Sequence, residues 1–141
     1  MNPVYLLDTN VVSEFTKPYP NENVIQSYEA YRTISAISSV TWQELVHGVE
    51  RLPDGKRKSR LQNFIDGLQN NVPIIEYDAF AARICGEVQA KCENQGVSLG
   101  SYDSQIAATA LANGMILVTH NTRDFEPFCQ NSSLSMVDWA S

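Results

Sequence analysis

Four acidic residues in this chain fall where carboxylates need a reason. Asp8 directly follows the apolar run Val4–Leu7. A bare charge at the end of a buried strand is expensive unless a cation, a helix N-terminus or an arginine compensates it. Glu44 lies six residues beyond the stretch "TISAIS" (33–38), Asp103 opens the stretch carrying "IAATA", and Asp124 follows the apolar "MILV" with Thr119, His120 and Asn121 between. Brought to one cleft, four carboxylates repel one another, and without a cation some would stay protonated. A hard divalent ion with oxygen ligands resolves the conflict. Mg²⁺ takes one or two carboxylates plus waters and substrate phosphates, and Mn²⁺ suits the same donors. Such a site invites phosphodiester hydrolysis, because a bound ion acidifies water and neutralises phosphate oxygens.

Each acid also has an ordinary alternative. Thr41 and Glu44 fit a T-x-x-E capping box, which satisfies two helix N–H groups without any chemistry. Asp103 could complement a helix dipole. Asn121 and Asp124 could form a turn within "THNTRDF". Asp8 is the hardest to set aside, and the ordinary readings together require four coincidences at one end of one sheet.

The elements that must position these acids alternate along the chain. Val4–Leu7 reads as a strand apolar on both faces, as central parallel strands are. Residues 10–17 read as a short helix stopped by Pro18 and Pro20, and 24–32 as a second helix. A short strand at 33–38 leads into a helix over 41–52, with Trp42, Leu45, Val46 and Val49 on one stripe. A further helix starts at Lys56. "VPIIEY" (72–77) predicts a strand, and Asp78 caps a long helix carrying Phe80, Ile84, Val88 and Cys92. Residues 103–114 form a helix closed by Gly114. "MILVT" (115–119) and "SLSMV" (133–137) read as the last strands. This alternation argues for an α/β/α sandwich around a mainly parallel sheet. In such sheets ligands bind beyond the C-terminal ends of the strands, where the acids fall.

The 141 residues are expected to form a single domain, 1–141, large enough for a core. No secretory leader or apolar run of about 20 residues is visible, so no membrane association is expected. Three cysteines, odd in number and without a C-x-x-C, read as reduced thiols of a cytoplasmic protein. The net charge of −6 gives no global basic footprint for nucleic acid. Yet Arg51, Lys56, Arg57, Lys58 and Arg60 supply five of the ten Lys and Arg within 51–60. Lys56, Arg57, Lys58 and Arg60 are therefore either a solvated helix face or a local patch for phosphate or an acidic partner.

The same residues carry a family pattern. "LLDTNVVSE", "SSVTWQEL", "YDSQIAATALANGMILVTHNTRDF" and "LSMVDWA", in that order, resemble a PIN-domain ribonuclease, specifically the VapC-type toxins of bacterial toxin–antitoxin pairs. The resemblance spans about residues 4–139 and implies a Mg²⁺- or Mn²⁺-dependent endoribonuclease, often acting on tRNA. It implies that Asp8, Glu44, Asp103 and Asp124 form the catalytic metal site. Asn10 and Thr119 would orient those carboxylates or the attacking water, and Asn121 would shape the loop presenting Asp124. It also implies a homodimer, a small VapB-like antitoxin reaching into the groove, and a higher assembly with it.

Two departures stand out. Many relatives carry a further acid just before the Asp103 position, where this chain reads "SLGSY", which tells against a tightly held second metal. The closing pair reads Asp138-Trp139 where N-W is common, and a structural role is expected. His47 sits in E-x-x-H with Glu44, but di-iron bundles need two such motifs, so His47 is expected in the groove or core. Two rival functions share parts of the pattern. A haloacid-dehalogenase-type phosphotransferase also ends strands on Asp and Thr, but needs a second Asp where Asn10 stands. A non-catalytic RNA- or protein-binding module is the other.

Overall fold

The structure, a computed structural model, describes residues 2–141. Five strands form one sheet: β1 (Tyr5–Leu7), β2 (Ser35–Ser38), β3 (Ile74–Ile75), β4 (Ile116–Val118) and β5 (Met136–Val137). Every pairing is parallel and the order is β3-β2-β1-β4-β5. Seven α-helices accompany them: α1 (Thr9–Glu14), α2 (Glu22–Tyr31), α3 (Ser39–Glu50), α4 (Lys56–Asn71), α5 (Ala79–Asn94), α6 (Ser101–Ala112) and α7 (Thr122–Gln130).

The sheet divides the core in two because side chains alternate along a strand. Leu6, Ala36 and Leu117 point to the side covered by α5, α6 and α7, where Val88, Ile106, Phe125 and Phe128 are buried. Leu7, Ile37 and Val118 point to the other, against Val11, Val12, Val24 and Leu68 of α1, α2 and α4. The expected three-layer sandwich is therefore present, and the continuous apolar strands are apolar because both faces are covered.

The chain leaves β1 toward β2 and β3 on one side, then returns to the other side of β1 with β4. That reversal puts the switch point of the sheet between β1 and β4. Helices α1, α3 and α7 start directly after β1, β2 and β4, so their N-termini lie at the C-terminal edge of the sheet. The α6 helix runs back toward β4, and its N-terminus lies at the same edge. Its far end is a Schellman turn: Met115 N–H donates to Ala110 O at 2.9 Å and Gly114 N–H to Leu111 O at 3.2 Å. Gly114 has φ +63°, which a side chain would strain, so the expected glycine stop is borne out.

Several boundaries differ from expectation. The first helix starts at Thr9 and ends at Glu14, short of Pro18. The β3 strand keeps only two residues of 72–77, because it is an edge strand with β2 as its neighbour. Residues 32–34 form a 3₁₀ turn ahead of β2. In α5 the buried stripe is Ala81, Cys85, Val88 and Cys92, and Phe80 is exposed. The turn offered as the ordinary alternative for Asn121 and Asp124 is present, with Asp124 N–H donating to Asn121 O at 3.0 Å, and it continues into α7, a helix with Phe125 and Phe128 buried and Pro127 inside it.

Candidate active site

Asp8 caps α1 from the end of the central strand. It is 4% exposed and its Oδ1 accepts the Thr9 N–H at 2.8 Å. Its Oδ2 accepts the Thr119 hydroxyl at 2.9 Å and the Asn10 amide Nδ2 at 3.1 Å. Thr119 stands just beyond β4, so this cluster bridges the two strands of the switch point. These three bonds occupy three of about four lone-pair sites of a carboxylate, leaving one on Oδ1. Burial nevertheless pushes the Asp8 pKa up. The Thr119 and Thr9 donors work against that rise, Glu44 adds to it and His120 opposes it.

Asp103 lies in the first turn of α6. Its pKa is raised too, first by burial and then by the charges of Asp8 and Asp124. Three acids from three elements thus share one field at the sheet edge. The Asp103 carboxyl also lies close to Gly100, where a Cβ would stand 3.7 Å from Oδ2. Asp124 occupies the first turn of α7 and is exposed. Both positions suit a helix dipole, so the ordinary reading and the shared-field reading hold together.

Glu44 belongs to the second turn of α3, not the first, because the helix starts at Ser39. The capping box does not form. Ser38 is the N-cap and its hydroxyl accepts the Thr41 N–H at 3.0 Å. Glu44 instead reaches across to α1, where its Oε1 accepts the Thr9 hydroxyl at 2.8 Å. Thr9, to which the sequence assigned no role, therefore ties Asp8 and Glu44 together, its backbone serving one and its hydroxyl the other. Its place inside "DTN" was the available signal.

Asn10 and Thr119 both donate to Asp8 Oδ2. The Asn121 N–H donates to Thr119 Oγ1 at 3.0 Å, so Asn121 anchors the loop leading to Asp124. Beside Glu44 opens a cleft of ≈ 160 Å³ between α1, α3 and α4, lined by Thr9, Ser13, Glu44, Gly48, Leu61 and Phe64. A second depression adjoins it, lined by Phe15, Lys17, Pro18 and Arg60. His47 belongs to neither. It is exposed on α3, which corrects the expectation that it lies in the groove or core.

The basic cluster heads α4, where cations oppose the helix dipole and Gly55 provides no side-chain cap. Lys58 braces the preceding loop, since its Nζ donates to Glu50 O at 3.0 Å and lies 3.7 Å from Asp54. Lys56, Arg57 and Arg60 are exposed and make no ion pair among the described residues. On the other flank, His120 Nδ1 lies 3.0 Å from Asp138 Oδ1. Burial opposes ionisation of Asp138, but the Ala140 N–H and His120 hold its pKa below the ordinary value. Trp139 is buried, edge-on to Tyr5 at 5.5 Å between centroids.

No three His, Cys, Asp or Glu side chains among the described residues form a group that could by itself hold a metal ion. The donor chemistry still fits a water-rich divalent ion. Asp8 keeps a free lone-pair site, Asp8 and Asp103 both carry raised pKa values, and Mg²⁺ needs only one or two carboxylates.

Comparison with known proteins agrees with this geometry. The PIN domain family matches residues 5–129. The tRNA(fMet)-specific endonuclease VapC of Shigella flexneri is 33% identical over 136 residues, covering 96% of this chain and 98% of that protein. A structure of FitAB bound to an IR36 DNA fragment superposes with a TM-score of 0.87 at 27% identity, covering 98% of this chain and 96% of that one. A toxin–antitoxin complex from Klebsiella pneumoniae superposes at 0.67 and 25% identity over 86% and 89% of the two chains. The all-parallel sheet agrees with the solved structures it superposes on, and this chain belongs to the PIN-domain family, in its VapC branch. That membership removes the haloacid-dehalogenase alternative. Asn10, standing where that chemistry needs a second acid, is here a donor to Asp8.

Proposed function

We propose that this chain is a metal-dependent endoribonuclease toxin that hydrolyses RNA phosphodiester bonds, with tRNA the first substrate to test. The observation that carries this reading is the buried Asp8 carboxylate at the switch point, fixed by three donors and sharing a field with Glu44 and Asp103. Asp8 and Asp103 would hold Mg²⁺ or Mn²⁺, with Glu44 and Asp124 flanking. The ion supplies an acidified water and neutralises charge on the phosphate. Thr119, Asn10 and the Thr9 N–H keep Asp8 in one rotamer. The Thr9 hydroxyl fixes Oε1 of Glu44 and leaves Oε2 to accept a proton from an attacking water. Asp124, presented by the Asn121 loop, borders the open side where RNA enters. Lys56, Arg57 and Arg60 contact RNA phosphates or an acidic antitoxin segment, giving salt-sensitive local affinity to an acidic protein. The names of the similar proteins support nuclease activity and assembly with a small antitoxin. A cytoplasmic homodimer completes the reading. No helix of the described residues is long and apolar enough to cross a membrane.

The test is incubation of the purified chain, freed of antitoxin, with total bacterial RNA and with tRNA in Mg²⁺, Mn²⁺ or EDTA, followed by sequencing of the RNA ends. Discrete metal-dependent cuts that vanish in Asp8→Asn are expected. Folded protein that binds Mn²⁺ and RNA yet cuts neither pool would refute hydrolysis and leave the binding module.

A further inference from the structure

Glu14, His120 and Asp138 come together from three distant parts of the chain, and the cleavage chemistry uses none of them. Glu14 ends α1 with its side chain 8% exposed; Lys17 Nζ lies 3.3 Å from its Oε1, and Oε2 accepts the Asn21 N–H at 3.3 Å. His120 lies between β4 and α7. One ring nitrogen meets Asp138 at 3.0 Å. The other, Nε2, is buried without a hydrogen-bond partner and faces Glu14 Oε1 at 3.7 Å. An imidazole held between two carboxylates from separate segments has little freedom to turn.

The backbone of the same residue reaches the active site. The last bond from β4 to its neighbour is Thr119 N–H to Val137 O, so the next N–H has left the sheet. That His120 N–H donates to Asn10 Oδ1 at 3.2 Å. With its oxygen committed there, the Asn10 carboxamide must present Nδ2 to Asp8 Oδ2, at 3.1 Å. The His120 N–H and the Asp8 carboxylate select the same orientation of this carboxamide, the first by donating to its oxygen and the second by accepting from its nitrogen. Flipped, it would set an oxygen against the Asp8 carboxylate.

We propose that His120 is a positioning residue: clamped by Asp138 and Glu14, it fixes the backbone N–H that keeps the nitrogen of Asn10 turned toward Asp8. This rests on the nuclease reading of the acidic cluster, and the experiment separates the two.

RNA cleavage and Mn²⁺ binding are measured for the wild type, His120→Ala, His120→Arg and Asp138→Asn. In each, the Asn10 side-chain amide is followed by ¹⁵N NMR without metal. His120→Ala should lower kcat by ~10-fold or more, with KM within about twofold, and weaken Mn²⁺ binding by a similar factor, the usual effect of losing an outer partner of a ligand. His120→Arg, whose fork can donate to both carboxylates, should restore most of kcat. The Asn10 amide signals should shift in His120→Ala and Asp138→Asn and return in His120→Arg. Wild-type kcat together with unmoved Asn10 signals in His120→Ala would overturn the proposal. So would a change in KM and melting temperature alone, or a folded His120→Arg that stays as slow as the alanine variant. If His120→Ala does not fold, Asp138→Asn and His120→Arg give the same decision. If the wild type cuts no RNA, the nuclease reading fails, and the Asn10 signals alone decide whether His120 sets that amide.

Discussion

Replacing Thr119 with valine removes one hydroxyl and keeps the shape of a fully buried side chain. In the native protein that hydroxyl donates to Asp8 Oδ2 at 2.9 Å and accepts the Asn121 N–H at 3.0 Å. Asn121 is exposed, so its N–H can turn to water at small cost. The Asp8 carboxylate is buried and cannot. A hydrogen bond to a charged group is worth about 1.5–3 kcal/mol, and that is the expected loss. For a chain of this length the loss corresponds to a fall in melting temperature of roughly 3–12 °C. The sign of its pH dependence follows from Asp8. Burial raises the pKa and Thr119 holds it down, so the valine variant should titrate higher still. The deficit should be larger at higher pH, where more of Asp8 is ionised, and should narrow as acid protonates Asp8 in both proteins. Calorimetry of both metal-free proteins near pH 7 and about pH 4.5 measures this. RNA cleavage should fall by about 10–100-fold, as for other outer-sphere partners of metal ligands. A deficit equal at both pH values would refute the charge-assisted bond. Unchanged stability at neutral pH would refute the geometry.

Metal-free protein should grow more stable as pH falls from neutrality toward about 4. Asp8 and Asp103 have folded pKa values raised above 3.8, so the native state takes up their protons before the unfolded chain does. That gain should be smaller in an Asp8→Asn/Asp103→Asn variant, and equal gains in urea titrations would contradict it. Mn²⁺ at about 100 times its dissociation constant should add ~2.7 kcal/mol of stability by mass action, which thermal melts would detect; the same double variant should show no such gain. Reversing charge at Lys56, Arg57 and Arg60 together should leave the melting temperature within a few degrees. It should also weaken RNA or antitoxin binding and flatten its salt dependence in titrations; unchanged binding of both would make the cluster a solvated face.

The sequence by itself determined the elements and the chemical character of the site. Apolar strands at Val4–Leu7 and within 115–119, helical spacing between them and Gly114 as a stop are local patterns, and local sterics and burial enforce them. Asp8 was legible because a carboxylate after an apolar strand needs compensation, whatever the fold; Glu44, Asp103 and Asp124 each had an ordinary local reading, and only their place beyond the strand ends and the family resemblance joined them to it. What only tertiary structure decided is which groups meet. Asp8 and Thr119 are 111 residues apart, and the switch point between β1 and β4 makes them partners. Glu44 could equally have closed a capping box with Thr41; packing of α1 against α3 gave it the Thr9 hydroxyl instead. No helix was read over α7 because its two phenylalanines gain their burial from α5 and α6, which no short window contains. Asp138 was expected to be structural, but its meeting with Glu14 and His120 gave no signal for the same reason. Spacing along a chain records the period of an element, whereas hydrogen bonds and charge depend on distances in space, and those follow from how the sheet orders its strands.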